Sequence, residues 1–189
     1  DSARKTFRNE IYSDYKANRS EAPDDLVPQF EYIRKSVLAF NLPSVDLMNY
    51  EADDLIATYV DQILKKGAKV TIVSSDKDLM QLFKKNVRIF DPMKNKFISE
   101  EDVQNKFGVD PAKVIDVQAL AGDSSDNVPG VPGIGVKTAA ELINKYGNLE
   151  TLLKSAQEIK QNKRRETLVK NKDKALLSKK LVTLKHDAP

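Results

Sequence analysis

Hydrophobic residues recur at helical spacing along much of the chain, and the clearest pattern predicts a helix over residues 51–66. Its apolar side chains share one helix face: Leu55, Ile56, Tyr59, Val60, Ile63 and Leu64. Gly67 follows where helices commonly end. A similar pattern predicts a helix over residues 23–40, whereas residues 3–18 have only weak helical character.

Short apolar runs predict strands at residues 45–48, 70–73 and 87–90, and a short helix is predicted at 77–83. Because strands and helices alternate in this part of the chain, we predict an α/β fold with a mostly parallel central sheet flanked by helices.

From about residue 99 onward the pattern becomes helical. Ser99 followed by Asp102 predicts a helix N-cap with an acidic first turn. A Gly/Pro-rich hairpin at 128–135 interrupts the helices. We therefore expect an α/β portion over residues 1–98 and a helical portion over 99–189.

Composition narrows the possible functions. The 189 residues, 40% of them hydrophobic, suffice for one compact domain with or without a helical subdomain. The chain has no cysteine, which excludes disulfides and thiolate metal sites and favours a reducing cytoplasm. Its single histidine, His186, lies near the end, which disfavours a Ser-His-Asp triad or a histidine zinc site. We expect no signal peptide, no membrane partner and a monomer.

The net charge of +3 conceals separate acidic and basic groups. Acidic residues cluster in the middle of the chain, and basic residues cluster at residues 4–19 and 160–180. This distribution suits an enzyme that holds divalent metals and binds a polyanion. The alternative is that the charged runs are solvated helix faces.

The acidic groups follow predicted strands. Glu51, Asp53 and Asp54 follow residues 45–48, Asp76 and Asp78 follow residues 70–73, and Asp1 would end whatever strand precedes it. Since sites form at the carboxyl ends of parallel strands, these carboxylates should face one crevice. Their mutual repulsion calls for a cation, and oxygen ligands suit Mg²⁺ or Mn²⁺. The alternative is that they stabilise helix N-termini or a polar turn.

A further acidic pair, Asp123 and Asp126, lies in the segment Gly-Asp-Ser-Ser-Asp-Asn at 122–127. Similar clusters occur in haloacid-dehalogenase-type phosphatases, but that family also needs an Asp-x-Asp nucleophile motif on its first strand, and we find no such motif on a first strand here.

The hairpin that follows predicts a phosphate-binding turn. Its core, Gly-Ile-Gly-x-Lys-Thr-Ala, resembles the helix-hairpin-helix motif, which holds duplex DNA by its backbone. The residues expected to contact DNA are Gly130, Gly133, Ile134, Gly135, Lys137 and Thr138. It is not a P-loop, because Val136 separates the second glycine from the lysine. The alternative is an ordinary turn between two helices.

Taken in order, Tyr-Glu-Ala-Asp-Asp at 50–54, Ser-Asp-Lys-Asp at 75–78, the 122–127 segment and the hairpin resemble the 5′-nuclease domain of bacterial DNA polymerase I. Phage and cellular flap endonucleases belong to the same family. The resemblance covers essentially the whole chain. It implies a PIN-like 5′-nuclease fold with a helical arch at about 3–20 and a helix-hairpin-helix motif at about 122–147, all forming one domain.

The resemblance also implies the site. Asp1, Glu51, Asp53 and Asp54 would surround one Mg²⁺ or Mn²⁺ ion, and Asp76, Asp78, Asp123 and Asp126 a second. Arg8, Lys16 and Arg19 would act on the scissile phosphate or 5′ strand, with Tyr15 available for base stacking. The hairpin would hold the downstream duplex, with K⁺ on its carbonyls.

The implied function is removal of 5′ ends and flaps from branched or nicked DNA, including RNA primers, during replication and repair. The implied setting is a bacterial cytoplasm at the nucleoid, with a polymerase domain in the parent chain. The family has several dozen residues before the position of Asp1, including a central strand, so we expect this chain to be a fragment lacking that N-terminal strand. Two alternatives remain: a DNA-binding module without catalysis, and a dehalogenase-type small-molecule phosphohydrolase.

Overall fold

Nine α-helices and a three-stranded sheet make up residues 5–189, the part of the chain that this computed structural model describes. The helices are α1 (Phe7–Ile11), α2 (Gln29–Ala39), α3 (Ala52–Lys65), α4 (Glu100–Phe107), α5 (Val114–Ala121), α6 (Val136–Tyr146), α7 (Leu149–Lys154), α8 (Asn162–Lys170) and α9 (Lys172–Val182). The strands are β1 (Val70–Val73), β2 (Val87–Asp91) and β3 (Lys96–Phe97). Short 3-10 helices span Lys77–Leu82, Pro111–Lys113 and Ala156–Glu158.

The sheet has the order β1-β2-β3, with β1 parallel to β2 and β2 antiparallel to β3. The predicted α/β class is confirmed, but the sheet in the described residues is small and mixed rather than mostly parallel. The antiparallel pair arises because the chain reverses within a short turn after Asp91, whose carboxylate accepts hydrogen bonds from the backbone of Met93 and Lys94.

The strongest sequence patterns gave accurate elements. The helix predicted over 51–66 is α3, and the strands predicted at 70–73 and 87–90 are β1 and β2. Ser99 is the N-cap of α4, and its hydroxyl accepts a hydrogen bond from the backbone of Asp102.

Three predictions in the first half were wrong or too long. Residues 45–48 form no strand, and Val45 and Met48 are more than half exposed. The helix predicted over 23–40 begins only at Gln29. None of its residues is buried, so it has no contact with the core that would stabilise a longer helix. The helix predicted at 77–83 is a 3-10 helix, Lys77–Leu82.

The core lies under α5, which is buried along most of its length and packs against both α6 and α9. This central position matters for the site, because the acidic segment 122–127 begins where α5 ends. In residues 5–189, no helix combines the length and apolar character needed to cross a membrane.

Candidate active site

Carboxylates from three separate segments line one small cavity. They are Glu51 and Asp53 at the start of α3, Asp78 in the 3-10 helix after β1, and Asp123 and Asp126 in the loop after α5. Two of these segments lie where the sequence predicted, at the start of a helix and after a parallel strand. The folded chain therefore brings together acidic groups that are up to 75 positions apart, from Glu51 to Asp126.

Proximity changes the acidity of this group. Burial, with the added negative charges of Asp76, Glu51 and Asp78, raises the pKa of Asp53 to about 6. Burial also raises the pKa of Asp78. Asp76 itself is exposed and caps the 3-10 helix, accepting a hydrogen bond from the backbone of Asp78. Burial is the main cause of both shifts and repulsion between carboxylates adds to it, so a nearby cation would stabilise their charged forms.

Basic side chains of residues 16–19 supply part of that compensation. The Lys16 amine lies 2.6 Å from Glu51 Oε1 and 3.6 Å from Asp126 Oδ2. The Arg19 guanidinium lies 2.5 Å from Asp126 Oδ1. Two of the three residues that the resemblance assigned to the phosphate or 5′ strand, Lys16 and Arg19, therefore lie directly beside the carboxylates.

Lys77 performs the same function on the opposite side. Its amine forms ion pairs with Asp78, at 3.2 Å, and with Asp123. Burial alone would raise the pKa of Asp123, but its hydrogen bond and ion pair with Lys77 lower it overall. Asp78 also accepts a hydrogen bond of 2.6 Å from the buried Gln118 amide. Neither residue had a predicted role, although the position of Lys77 between two aspartates was a usable signal.

An all-carboxylate donor set of this kind fits a hard divalent cation such as Mg²⁺ or Mn²⁺. Within residues 5–189, however, no three acidic side chains converge closely enough to enclose a metal ion. Lys16 and Lys77 instead bridge pairs of the carboxylates. Asp1, which the resemblance assigned to the first metal, lies outside the described residues.

Asp54 differs from its acidic neighbours, because it is fully buried and does not line the cavity. Arg8 Nη1 and Nη2 donate to its two oxygens at 2.7 and 2.8 Å, and the backbone of Lys185 donates to Oδ1. Burial opposes ionisation, but these donors lower the pKa of Asp54 overall. The carboxylate is fully engaged by protein donors, so its observed role is structural.

Arg8 is correspondingly not available to a substrate. It is 1% exposed, and besides Asp54 its guanidinium donates to the backbone carbonyls of Leu181 and Thr183. Arg8 was expected to contact phosphate, but in the structure its buried side chain connects α1 with α3 and with the end of α9.

Tyr15 also departs from expectation. Its ring is 4% exposed and packs with Val128 and Leu181, so no face is open for base stacking. Its hydroxyl lies 3.2 Å from both Glu51 Oε2 and Asp126 Oδ2. Burial and the negative charge of Glu51 raise the pKa of Tyr15 far above its ordinary value, which keeps the hydroxyl protonated.

The segment Asp14–Arg19, which we call the arch base, is fastened to the acidic loop Ser124–Asn127. Backbone N–H of Lys16 donates to the Asp126 carbonyl, the Asn18 amide donates to the Ser124 carbonyl, and the Asn127 amide donates to the Asp14 carbonyl. These contacts join parts of the chain that are more than 100 positions apart. They hold the basic residues of the arch base over the cavity.

The glycine hairpin has an inner and an outer side. Gly130 is buried so close to Gly122 that a Cβ on it would lie 2.5 Å from the Gly122 nitrogen, and the Ile134 side chain is in the core. These two residues therefore maintain the fold rather than offer side chains to DNA. Gly133, Gly135 and Lys137 are exposed, and Thr138 is half-buried beside them.

The outer side of the hairpin faces α8 across a cleft of about 230 Å³. The hairpin contributes Gly133, Ile134 and Thr138, and α8 contributes Lys163, Arg164 and Thr167. Lys163 and Arg164 belong to the basic group at residues 160–180, for which no site was predicted. Their position opposite exposed backbone suits an anionic ligand.

Comparison with known proteins adds family information to this geometry. Residues 1–108 match the family model described as the 5′-3′ exonuclease N-terminal resolvase-like domain, and residues 109–189 match that of the 5′-3′ exonuclease C-terminal SAM fold. The chain is 58% identical over 189 residues to a DNA polymerase I of Rhizobium leguminosarum, covering 100% of this chain and 19% of that protein. It is 42% identical over 195 residues to a 5′-3′ exonuclease of Buchnera aphidicola, covering 100% of this chain and 68% of that protein.

Among solved structures, the fold is similar to the bacteriophage T5 D15 flap endonuclease in a pseudo-enzyme-product complex with DNA and metal ions. The TM-score is 0.81 at 26% identity, covering 94% of this chain and 70% of that one. The chain spans only about a fifth of the DNA polymerase I relatives it matches.

Proposed function

The chain belongs to the 5′-3′ exonuclease family, and on that basis we propose that it is a structure-specific 5′ nuclease. Its reaction is hydrolysis of phosphodiester bonds at 5′ ends and 5′ flaps of branched or nicked DNA. The observation that carries the proposal is the convergence of Glu51, Asp53, Asp78, Asp123 and Asp126 on one cavity beside the basic arch base. A phosphatase of the dehalogenase type would need neither the arch base nor the hairpin.

The residues proposed to hold two divalent metals are those with carboxylates at or beside the cavity. Glu51 and Asp53 would serve the first, and Asp76, Asp78, Asp123 and Asp126 the second. Asp1 remains a predicted ligand of the first metal. Asp54 would stabilise the same group indirectly, because its carboxylate accepts a hydrogen bond from the backbone N–H of Glu51. When bound, Mg²⁺ or Mn²⁺ would supply an activated water and stabilise the oxygen leaving the phosphorus.

The protein's own residues would do the remaining work. Lys16 and Arg19 lie at the mouth of the carboxylate cavity, where their charges can offset the negative charge that develops on phosphate oxygens. Lys77, which pairs with Asp78 and Asp123, would balance the acidic group before metal binds. The described residues place no histidine at the cavity, so proton transfer falls to water and carboxylates.

The duplex would be held away from the reacting bond. Gly133 would contact phosphate on one side of the cleft, and Lys163 and Arg164 on the other. The exposed Gly135 and Lys137 would contact phosphates beside the cleft. Such contacts recognise the backbone and not the sequence, which suits an enzyme that selects DNA by its branched shape. A K⁺ ion on the hairpin carbonyls remains part of the proposal.

The wider setting follows from the relatives. They include bacterial DNA polymerases I, so we propose RNA primer removal and repair in the bacterial cytoplasm, at the nucleoid, with a polymerase domain as partner. The nuclease would act as a monomer.

The test is cleavage of a 5′-labelled flap substrate in Mg²⁺, repeated in EDTA and with Asp123→Asn. Asp173→Asn, an exposed aspartate on α9, is the matched control. We expect short 5′ products from the wild type and the control only. Binding of branched DNA without cleavage in any metal would favour a DNA-binding module, and failure to bind branched DNA in EDTA would contradict both readings.

A further inference from the structure

We propose that Tyr15 is a positioning residue whose hydroxyl fixes Glu51 and Asp126 relative to each other for metal binding. The proposal rests on the nuclease function given above. It replaces the stacking role suggested by the sequence with a role inside the protein.

The hydroxyl lies between two carboxylates that come from different segments. Glu51 precedes α3, Asp126 follows α5, and the Tyr15 oxygen is 3.2 Å from one oxygen of each. A phenol has one proton to donate, so it bonds to one carboxylate at a time while remaining next to the other. Glu51 and Asp126 belong to different proposed metal groups, so this hydroxyl is a link between the groups.

The ring has little freedom to place its hydroxyl anywhere else. It is 4% exposed and packs with Val128 and Leu181. The Tyr15 carbonyl accepts a hydrogen bond of 3.0 Å from the Asn9 amide, and its backbone N–H donates to the Tyr12 carbonyl. Packing around the ring and hydrogen bonds to the Tyr15 backbone together fix the position of the hydroxyl.

Among the other partners of these two carboxylates, Arg8 is buried with its Nη1 3.5 Å from Glu51 Oε2, whereas Lys16 and Arg19 are better placed to leave. Lys16 and Arg19 extend from the rim of the cavity, and the Arg19 side chain is about half exposed, at 52%. Both cations are proposed to contact phosphate, and a metal ion would compete with them for the same oxygens. Arg8 would still lie beside Glu51, and the Tyr15 hydroxyl would be the buried donor that contacts both Glu51 and Asp126 in the metal-bound protein.

Hydrogen bonds to metal-binding carboxylates typically contribute about 10- to 100-fold to metal affinity or activity. Tyr15→Phe removes only the hydroxyl and keeps the ring, so the packing and any aromatic contact with a base are retained. We expect Mn²⁺ to bind the variant about tenfold more weakly. We also expect saturating Mg²⁺ to restore most of the cleavage rate.

The experiment is a titration of the whole chain with Mn²⁺, followed by the electron paramagnetic resonance of free Mn²⁺. Branched-DNA binding in EDTA and the urea midpoint are measured on the same samples. Tyr12→Phe is the matched control, because it removes a hydroxyl from the same segment that makes no hydrogen bond within the described residues. DNA binding in EDTA should be equal in all three proteins.

Equal Mn²⁺ affinity in Tyr15→Phe and the wild type would overturn the proposal and leave Tyr15 a core residue. A rate defect in Tyr15→Phe that saturating Mg²⁺ does not reduce would also overturn it. If the wild type itself neither binds Mn²⁺ nor cuts DNA, the nuclease function fails instead, and the two failures are thereby distinguished.

Discussion

Arg8 and Asp54 form a fully buried ion pair in which two guanidinium nitrogens each donate to a different carboxylate oxygen, at 2.7 and 2.8 Å. The pair joins α1 to α3, and Arg8 extends it to the end of α9 through the carbonyls of Leu181 and Thr183. Three segments therefore meet at one arginine directly behind the carboxylate cavity.

Removal of one partner should be costly, because it leaves the other charge buried and unpaired. We expect Arg8→Met to lower the free energy of unfolding by about 3–5 kcal/mol. The double variant Arg8→Met/Asp54→Leu should be more stable than Arg8→Met, since it removes the stranded carboxylate. Urea denaturation measures both, with Lys35→Met as a control in the exposed Glu31–Lys35 pair, where the change should be about 0.5 kcal/mol or less. A double variant no more stable than the single one would contradict this account.

Two glycines should respond oppositely to alanine. A Cβ on Gly122 would lie 2.6 Å from the Val128 carbonyl oxygen, so Gly122→Ala should destabilise the fold. A Cβ on Gly135 would meet nothing within 4 Å and its φ is −89°, so Gly135→Ala should leave the urea midpoint unchanged or slightly higher.

Gly135→Ala should nevertheless weaken duplex binding. Hydrogen bonds to a charged group are worth about 1.5–3 kcal/mol. Loss of one backbone–phosphate contact should therefore raise Kd at least about tenfold. Fluorescence anisotropy with a nicked duplex measures it. Unchanged affinity in a folded Gly135→Ala protein would show that DNA does not approach this turn.

The cleft between the hairpin and α8 predicts a salt dependence. Lys163→Ala and Arg164→Ala should each reduce the slope of log Kd against log salt by about 0.9, and the double variant by about 1.8. The effect should be the same for duplexes of different sequence, since phosphate contacts do not read bases. Lys172→Ala, an exposed lysine outside the cleft, is the control. A slope that stays at the wild-type value in the double variant would place the duplex elsewhere.

Lys77 gives a prediction about metal binding. Its ion pairs with Asp78 and Asp123 belong to the metal-free protein, and a divalent cation would compete for the same oxygens. Lys77→Met should therefore lower the stability of the metal-free chain while tightening Mn²⁺ binding several-fold, because binding no longer breaks these pairs. Calorimetric titration with Mn²⁺ measures the affinity. Weaker binding in the variant would mean that Lys77 stays in place beside the metal.

Asp91 gives a prediction about acid stability. A hydrogen bond from the Ser75 hydroxyl, with further donors from Lys94 and Met93, lowers the pKa of Asp91 to about 2 from 3.8. Because the folded-state pKa is depressed, Asp91 stabilises the fold above pH 3.8 and loses that contribution as pH falls through about 2.

The stability difference between wild type and Asp91→Asn should accordingly shrink between about pH 4 and pH 2. Ser75→Ala should show a smaller version of the same effect, because it removes the main donor. Urea midpoints at several pH values test both variants. A difference that does not change over this range would show that the carboxylate is not held in its charged form by these donors.

Local sequence pattern was sufficient wherever structure depends on near neighbours. The stripe of α3, the apolar runs of β1 and β2 and the Ser99 cap all follow from residues within one or two turns. The position of Asp78 after β1 and of Glu51 and Asp53 at the start of α3 was also predictable, although the strand predicted before Glu51 does not form.

The residues whose contacts differ from those expected depend on distant parts of the chain. The Arg8 guanidinium donates a hydrogen bond to a carbonyl 173 positions away. The Tyr15 hydroxyl donates one to a carboxylate 111 positions away. Each looks like a surface residue in a polar, basic segment, and nothing local distinguishes a phosphate-binding arginine from a buried one. Val45 and Met48 show the converse, since their apolar character predicted a strand but no partner in the described residues covers them.

The fastening of the arch base to the loop Ser124–Asn127 has a consequence for how this site could be divided. Glu51, Asp53 and Asp78 lie in the segment matched to one family model, and Asp123 and Asp126 lie in the segment matched to the other. A cut between residues 108 and 109 would leave each fragment with only part of the acidic cavity. It would also separate the arch base from residues 124–127, so the hydrogen bonds between them would be lost. The two fragments are complementary pieces of one site, so activity would return only through their reassembly.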